Sequence, residues 1–147
     1  MNLVSSILQA KGSEIFSVKK ETPIIEALEL MAEKRIGAVL VMEDETIAGV
    51  FSERDFVRRV AKTKTMNLDS PVSELMTKDV FVISPNETIE ECMALMSNTR
   101  IRHLPVVEEN KLVGLISIGD VVKISIQDKD LLIQSMEKYI FGYGYGR

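Results

Sequence analysis

Displaced by 65 residues, this chain matches itself. Residues 15–57 lie on residues 80–122 without a gap, and 13 of those 43 positions are identical. Ordinary composition gives about two or three such matches by chance. The identical pairs include Arg35/Arg100, Ile36/Ile101, Gly49/Gly114, Ser52/Ser117, Asp55/Asp120 and Val57/Val122. Two copies are too few for a solenoid, which needs about three or more units to bury a continuous core. The expectation is two half-domains facing each other about a pseudo-two-fold axis, with any functional site present twice.

Both copies follow one pattern. A short apolar strand (residues 15–18; 80–83) is followed by a turn containing Pro23 or Pro85. A helix comes next, with Ala27, Leu30 and Met31, or Cys92, Leu95 and Met96, repeating at i, i+3, i+4. Two β-branched runs follow, 38–42 with 46–51 and 104–107 with 111–116, each pair joined by an acidic turn that reads as a hairpin. A second helix opens at Ser52 or Ser117 and is expected to turn Phe56, Val57 and Val60, or Val121 and Val122, inward. The order is β-α-β-β-α, twice, in a mixed α/β (α+β) fold. Residues 1–66 make the first repeat and 67–126 the second, with the polar stretch 62–70 connecting them. Residues 127–147 are left for a C-terminal amphipathic helix over 128–140 and a frayed Gly/Tyr tail that lacks the flanking strand and helix of a phosphate loop.

Composition removes several function classes. A net charge of -4 gives no footprint for nucleic acid or an anionic membrane surface. A single cysteine, Cys92, rules out an intrachain disulfide and fits a reducing, cytoplasmic setting. Residues 1–12 lack the basic and apolar regions of a secretion signal, and no run approaches the roughly 18 apolar residues of a membrane span. Cys92 lies on the buried helix stripe with Ala27 and reads as a small core residue rather than a thiol sensor. The methionines Met31, Met93 and Met96 read as core or dimer interface. Glu26, Glu29, Glu90 and Glu91 read as a solvated helix face. One histidine, His103, supports neither a metal site nor a catalytic triad.

The strings Gly49-Val-Phe-Ser52-Glu-Arg-Asp55 and Gly114-Leu-Ile-Ser117-Ile-Gly-Asp120 resemble the G-h-h-[S/T]-x-x-D signature of CBS domains. Upstream, Arg35-Ile36-Gly37-Ala38 and the segment from Arg100 to Val107 resemble the family's R-I-x-x-L-P-V-V stretch. Val72-Ser73-Glu74-Leu75-Met76-Thr77 resembles its lead-in motif, of which residues 4–11 are a weaker version. The resemblance spans about residues 4–125. It implies a CBS pair, or Bateman module, binding AMP, ADP, ATP, S-adenosylmethionine or NAD(H) in up to two inter-repeat clefts, and commonly assembling as a homodimer.

On that resemblance Asp55 and Asp120 accept hydrogen bonds from the ribose hydroxyls, while Ser52 and Ser117 contact phosphate. Ser-x-x-Asp is equally a capping box, and the two roles are compatible, because a helix N-terminus also favours a phosphate. Ile36, Gly37, Ala38, Ile101, Arg102 and His103 are expected to frame the adenine moieties. The copies differ where charge is read: Arg54 and Arg58 flank Asp55, whereas Gly119 and Lys123 occupy the matching positions beside Asp120. The Asp55 site is therefore expected to take the more phosphorylated ligand. The alternative for Arg54 is a merely solvated helix charge. The whole describes a stand-alone regulatory module, not an enzyme and without a catalytic cofactor, that relays energy state to a separate effector protein. A redox sensor for NAD(H) and a ligand-free dimerisation scaffold are the competing readings.

Overall fold

The computed structural model describes residues 2–12 and 14–126. The expected tail helix over 128–140 and the Gly/Tyr run after it lie outside the described residues. The elements run α1 (Val4–Lys11), β1 (Ser17–Lys19), α2 (Ile24–Lys34), β2 (Ala38–Glu43), β3 (Thr46–Ser52), α3 (Glu53–Thr63), a 3-10 turn (Val72–Glu74), α4 (Ile89–Thr99), β4 (His103–Glu108), β5 (Lys111–Ser117) and α5 (Ile118–Ser125). This is the expected mixed α+β architecture, with a helix, a hairpin and a second helix in each copy.

Contacts divide the chain differently from the repeat. One compact unit is residues 14–81, here the Asp55 unit, and the other joins residues 2–12 to residues 82–126, here the Asp120 unit. Each unit is thus completed by a segment remote in sequence from its own hairpin. In the Asp120 unit, Val4 and Ile7 of α1 enter a core made by Ile83, Ile89, Cys92, Met96, Leu104, Val106, Ile116 and Val121. In the Asp55 unit the matching places are filled by Val72 and Leu75 beside Ile24, Ala27, Met31, Val39, Val41 and Phe51. The two lead-in motifs perform one task, each presenting a fully buried valine, Val4 or Val72, to its core.

Both hairpins pair antiparallel and carry the same irregularity, between Val41 and Met42 in one and Val106 and Val107 in the other. Their glycines are places of close approach. A Cβ on Gly49 would stand 2.7 Å from the Thr77 carbonyl oxygen, and one on Gly114 would stand 2.4 Å from a Leu8 methyl. At Gly49 the neighbour is backbone, so glycine is what lets the lead-in segment lie this close, whereas at Gly114 the neighbour is the end of a side chain.

Two expectations need correction. The strand expected over residues 80–83 is reduced to a single parallel bridge, Ile83 to Val106, whereas its counterpart β1 pairs with β2 over three residues. The cause is a proline. Leu40 donates its N–H to the Phe16 carbonyl at 3.3 Å, but the matching position in β4 is Pro105, which has no N–H to give. Phe16 accordingly lies against its core while Phe81 is exposed. The second correction concerns the last helices. Phe56 is half-buried and Val121 fully buried as expected, but Val57 is 63% exposed and Val122 37% exposed. Neighbouring positions on a helix lie about 100° apart, so one narrow stripe does not hold both.

Candidate functional site

Two strand-to-helix junctions hold the candidate residues. In the Asp55 unit, β3 ends in extended backbone at Ser52, the N-cap of α3. The Asp55 N–H donates to Ser52 Oγ at 3.3 Å, and Asp55 Oδ2 accepts the Ser52 N–H at 2.8 Å and its hydroxyl at 3.0 Å. This reciprocal capping box satisfies donors that a helix start leaves open. Strand register sets Ala38 opposite Ser52, and the Glu53 N–H donates to the Gly37 carbonyl at 3.0 Å. Gly37 and Ala38 are therefore held beside the helix start, with Ile36 just before them against the core. Arg54 and Arg58 stand exposed on the first two turns of α3.

The Asp120 unit repeats the frame. Asp120 Oδ2 accepts the Ser117 N–H at 2.8 Å, and the Asp120 N–H donates to Ser117 Oγ at 3.2 Å. His103 pairs across the strands with Ser117, and the Arg102 carbonyl accepts the Ile118 N–H at 2.9 Å. Arg102 is exposed, His103 half-buried, and Ile101 flanks the core. Gly119 and Lys123 are exposed where Arg54 and Arg58 stand on the other helix, and with Ile118, Val122 and Ile126 they line a shallow, largely apolar depression. Each group of candidate residues is thus brought together within its own unit.

The third partner of each carboxylate was not among the candidates. In the Asp55 unit the Thr77 hydroxyl donates to Asp55 Oδ1 at 3.1 Å. Its place in the lead-in motif was visible in the sequence. In the Asp120 unit the Lys11 ammonium reaches Asp120 Oδ2 at 2.8 Å and the Leu115 carbonyl at 2.8 Å. No local signal marks a contact between residues 109 positions apart. Burial pushes the Asp120 pKa up, but the Lys11 hydrogen bond, the Ser117 hydrogen bonds and the Lys11 charge outweigh it and hold the carboxyl below its ordinary value.

Remaining groups offer little chemistry. Cys92 is fully buried, and burial with the Glu87 charge pushes its thiol up to about 11, so it stays protonated at neutral pH. Glu91, read as a solvated face residue, is also the acid of a capping box with Thr88 on α4. Among the described residues no group of three or more His, Cys, Asp or Glu side chains could hold a metal ion, and no helix is long and apolar enough to cross a membrane.

The family model for the CBS domain matches twice, at residues 5–62 and 72–126. The CBS domain-containing protein YhcV of Bacillus subtilis is 32% identical over 117 residues, which are 80% of this chain and 83% of that protein. A solved structure of a protein with CBS domains from Burkholderia ambifaria is 45% identical with a TM-score of 0.83, covering 87% of this chain and 96% of the other. The crystal structure of CBSX2 in complex with AMP is 26% identical with a TM-score of 0.72, covering 88% of this chain and 99% of that one.

Proposed function

Because this chain belongs to the CBS-domain family, carrying two copies of the domain, we propose that it is a regulatory, non-catalytic module that binds adenosine nucleotides at the starts of α3 and α5. The observation that carries this reading is the duplicated junction, in which a half-exposed aspartate is fixed by its own helix start. A carboxylate oriented by backbone and serine donors is already aimed to accept ribose hydroxyls. Hydrogen bonds to a charged acceptor contribute about 1.5–3 kcal/mol each. The amides and dipole of the helix start favour phosphate next to it. The AMP complex of CBSX2, a protein of similar fold and 26% identity, supports the ligand class.

Arg54 and Arg58 give the Asp55 site two mobile cations within reach of a phosphate chain, so this site takes ADP or ATP in preference to AMP. The Asp120 site, with Gly119 in place of Arg54, takes the less phosphorylated ligand. Ile36, Gly37 and Ala38, and Ile101, Arg102 and His103, frame the bases. The chain acts as a homodimer, a reading supported by Val57 and Val122, apolar residues exposed at matching positions of α3 and α5. Nucleotide occupancy is relayed to a separate effector protein; coupling of 1–3 kcal/mol suffices and lies within the 4–8 kcal/mol of a micromolar to millimolar ligand.

Thermal unfolding with AMP, ADP, ATP and NADH in turn tests the reading, since a ligand of the folded state raises the midpoint. AMP and ATP are expected to raise it by several degrees at saturating concentration. A response to NADH alone would favour a redox sensor, and no response to any of the four would leave a scaffold.

A further inference from the structure

Among the described residues, Lys11 is a charged partner of a candidate ligand-binding acid where the other unit has a neutral one. Its ammonium donates to Asp120 Oδ2 and to the Leu115 carbonyl, each at 2.8 Å, while the same Oδ2 accepts the Ser117 N–H. The carboxylate that a ribose would use is therefore shared with an internal cation. The place of that cation is fixed by the helix that carries it. Val4 and Ile7 bury α1 in the core, Leu8 lies against Gly114, and Lys11 closes the last turn before Gly12, whose φ of 91° ends the helix. The lysine side chain is itself 36% exposed, so it can leave the acid without disturbing the core. An ammonium carries three donors, and it strongly prefers an anion as acceptor. Asp55 has a neutral hydroxyl, Thr77, at the corresponding place.

Resting on the nucleotide-binding reading above, we propose that Lys11 is a phosphate-dependent latch on the Asp120 site, a specificity residue that releases the acid only to a ligand offering its ammonium a phosphate oxygen in exchange. A nucleoside without phosphate competes for a carboxylate that the lysine already holds and returns nothing to the lysine. A nucleotide moves the ammonium from carboxylate to phosphate, so the lysine charge keeps an anionic partner while the ribose hydroxyls take its place on the acid. The Asp120 site thereby discriminates AMP from adenosine even though α5 has no arginine where α3 has Arg54.

Backbone amide NMR of the full chain reads the sites separately, with Gly119 reporting the Asp120 site and Arg54 reporting the Asp55 site. Wild type, Lys11→Gln and Lys11→Arg are titrated with adenosine and with AMP. For Lys11→Gln the AMP-to-adenosine affinity ratio at Gly119 is expected to fall about tenfold or more, as for the loss of one charge-assisted hydrogen bond. Adenosine should bind no more weakly and up to about fivefold more tightly, the gain from removing a half-exposed ion pair. Lys11→Arg keeps the ratio, and the ratio at Arg54 is unchanged in all three proteins. A Gly119 ratio unaltered in Lys11→Gln, or a fall of equal size at Arg54, overturns the latch while leaving nucleotide binding in place. Absence of any Gly119 shift in wild type with either ligand overturns the nucleotide-binding reading itself, and the latch with it.

Discussion

The Asp55 and Asp120 units share one backbone plan and one helix start, yet they differ at several points where a side chain leaves the plan. The Asp55 unit has a third strand, β1, because Leu40 can donate to Phe16; the Asp120 unit has one bridge, because Pro105 cannot donate. Gly49 faces a backbone carbonyl where Gly114 faces a leucine methyl. Asp55 is met by a hydroxyl, Asp120 by an ammonium. Duplication preserved what sets local geometry, namely the hairpin glycine, the capping serine and the acid. What drifted is what decides charge and edge pairing, so two sites of the same shape present different chemistry.

The comparison can be broken most forcefully at Leu40. Leu40→Pro gives β2 the proline of β4. It should cost about 3–5 kcal/mol in urea unfolding, combining a lost buried side chain with an unmet carbonyl at Phe16. The reverse change, Pro105→Leu, should be mild, and a comparable loss there would show that the proline is not what separates the units. A smaller asymmetry is expected at the glycines. Gly49→Ala should cost about 2–3 kcal/mol, since the Thr77 carbonyl oxygen belongs to the backbone, and Gly114→Ala about 1 kcal/mol, since Leu8 can turn its methyl aside. Equal costs would mean that α1 is as rigid against its hairpin as the segment at Thr77.

At the helix starts the units should behave alike. Ser52→Ala and Ser117→Ala are each expected to lose about 1 kcal/mol, the usual contribution of an N-cap hydroxyl. A difference much above that would show one serine to be bound elsewhere. The smallest effect concerns acid. The folded-state pKa of Asp120 lies below its ordinary value, so its pairing adds stability above about pH 3.9, and that share is lost as pH falls through the folded value. In Lys11→Met the stability difference between pH 6 and pH 3 should shrink by a few tenths of a kcal/mol, the scale of an exposed pair. An undiminished difference would show that Lys11 contributes nothing to it.

Much of this was legible in the sequence because it is local. Hairpins, helix periodicity and the Ser-x-x-Asp boxes are set by residues two to four positions apart, and the 65-residue repeat makes each visible twice. The candidate residues Gly37, Ala38, Arg102 and His103 came from the family resemblance, and the hairpin register sets Ala38 and His103 opposite the capping serines. The exchanged lead-in segments and the Lys11 contact depend on distant pairing, for which one sequence holds no signal. The missing strand was legible in principle, since Pro105 stands in the sequence, but strand propensity at residues 80–83 concealed the lost donor. Val57 and Val122 misled because adjacent apolar residues do not say which one faces inward.

The central claim is two nucleotide sites, one at each carboxylate, of unlike phosphate preference. Isothermal calorimetry of AMP and ATP into wild type, Asp55→Ala, Asp120→Ala and the double variant tests it most directly. The account predicts two classes of site in wild type, loss of the ATP-preferring class in Asp55→Ala, loss of the other in Asp120→Ala, and no binding in the double variant. Nucleotide binding in the double variant equal to that of wild type would contradict it.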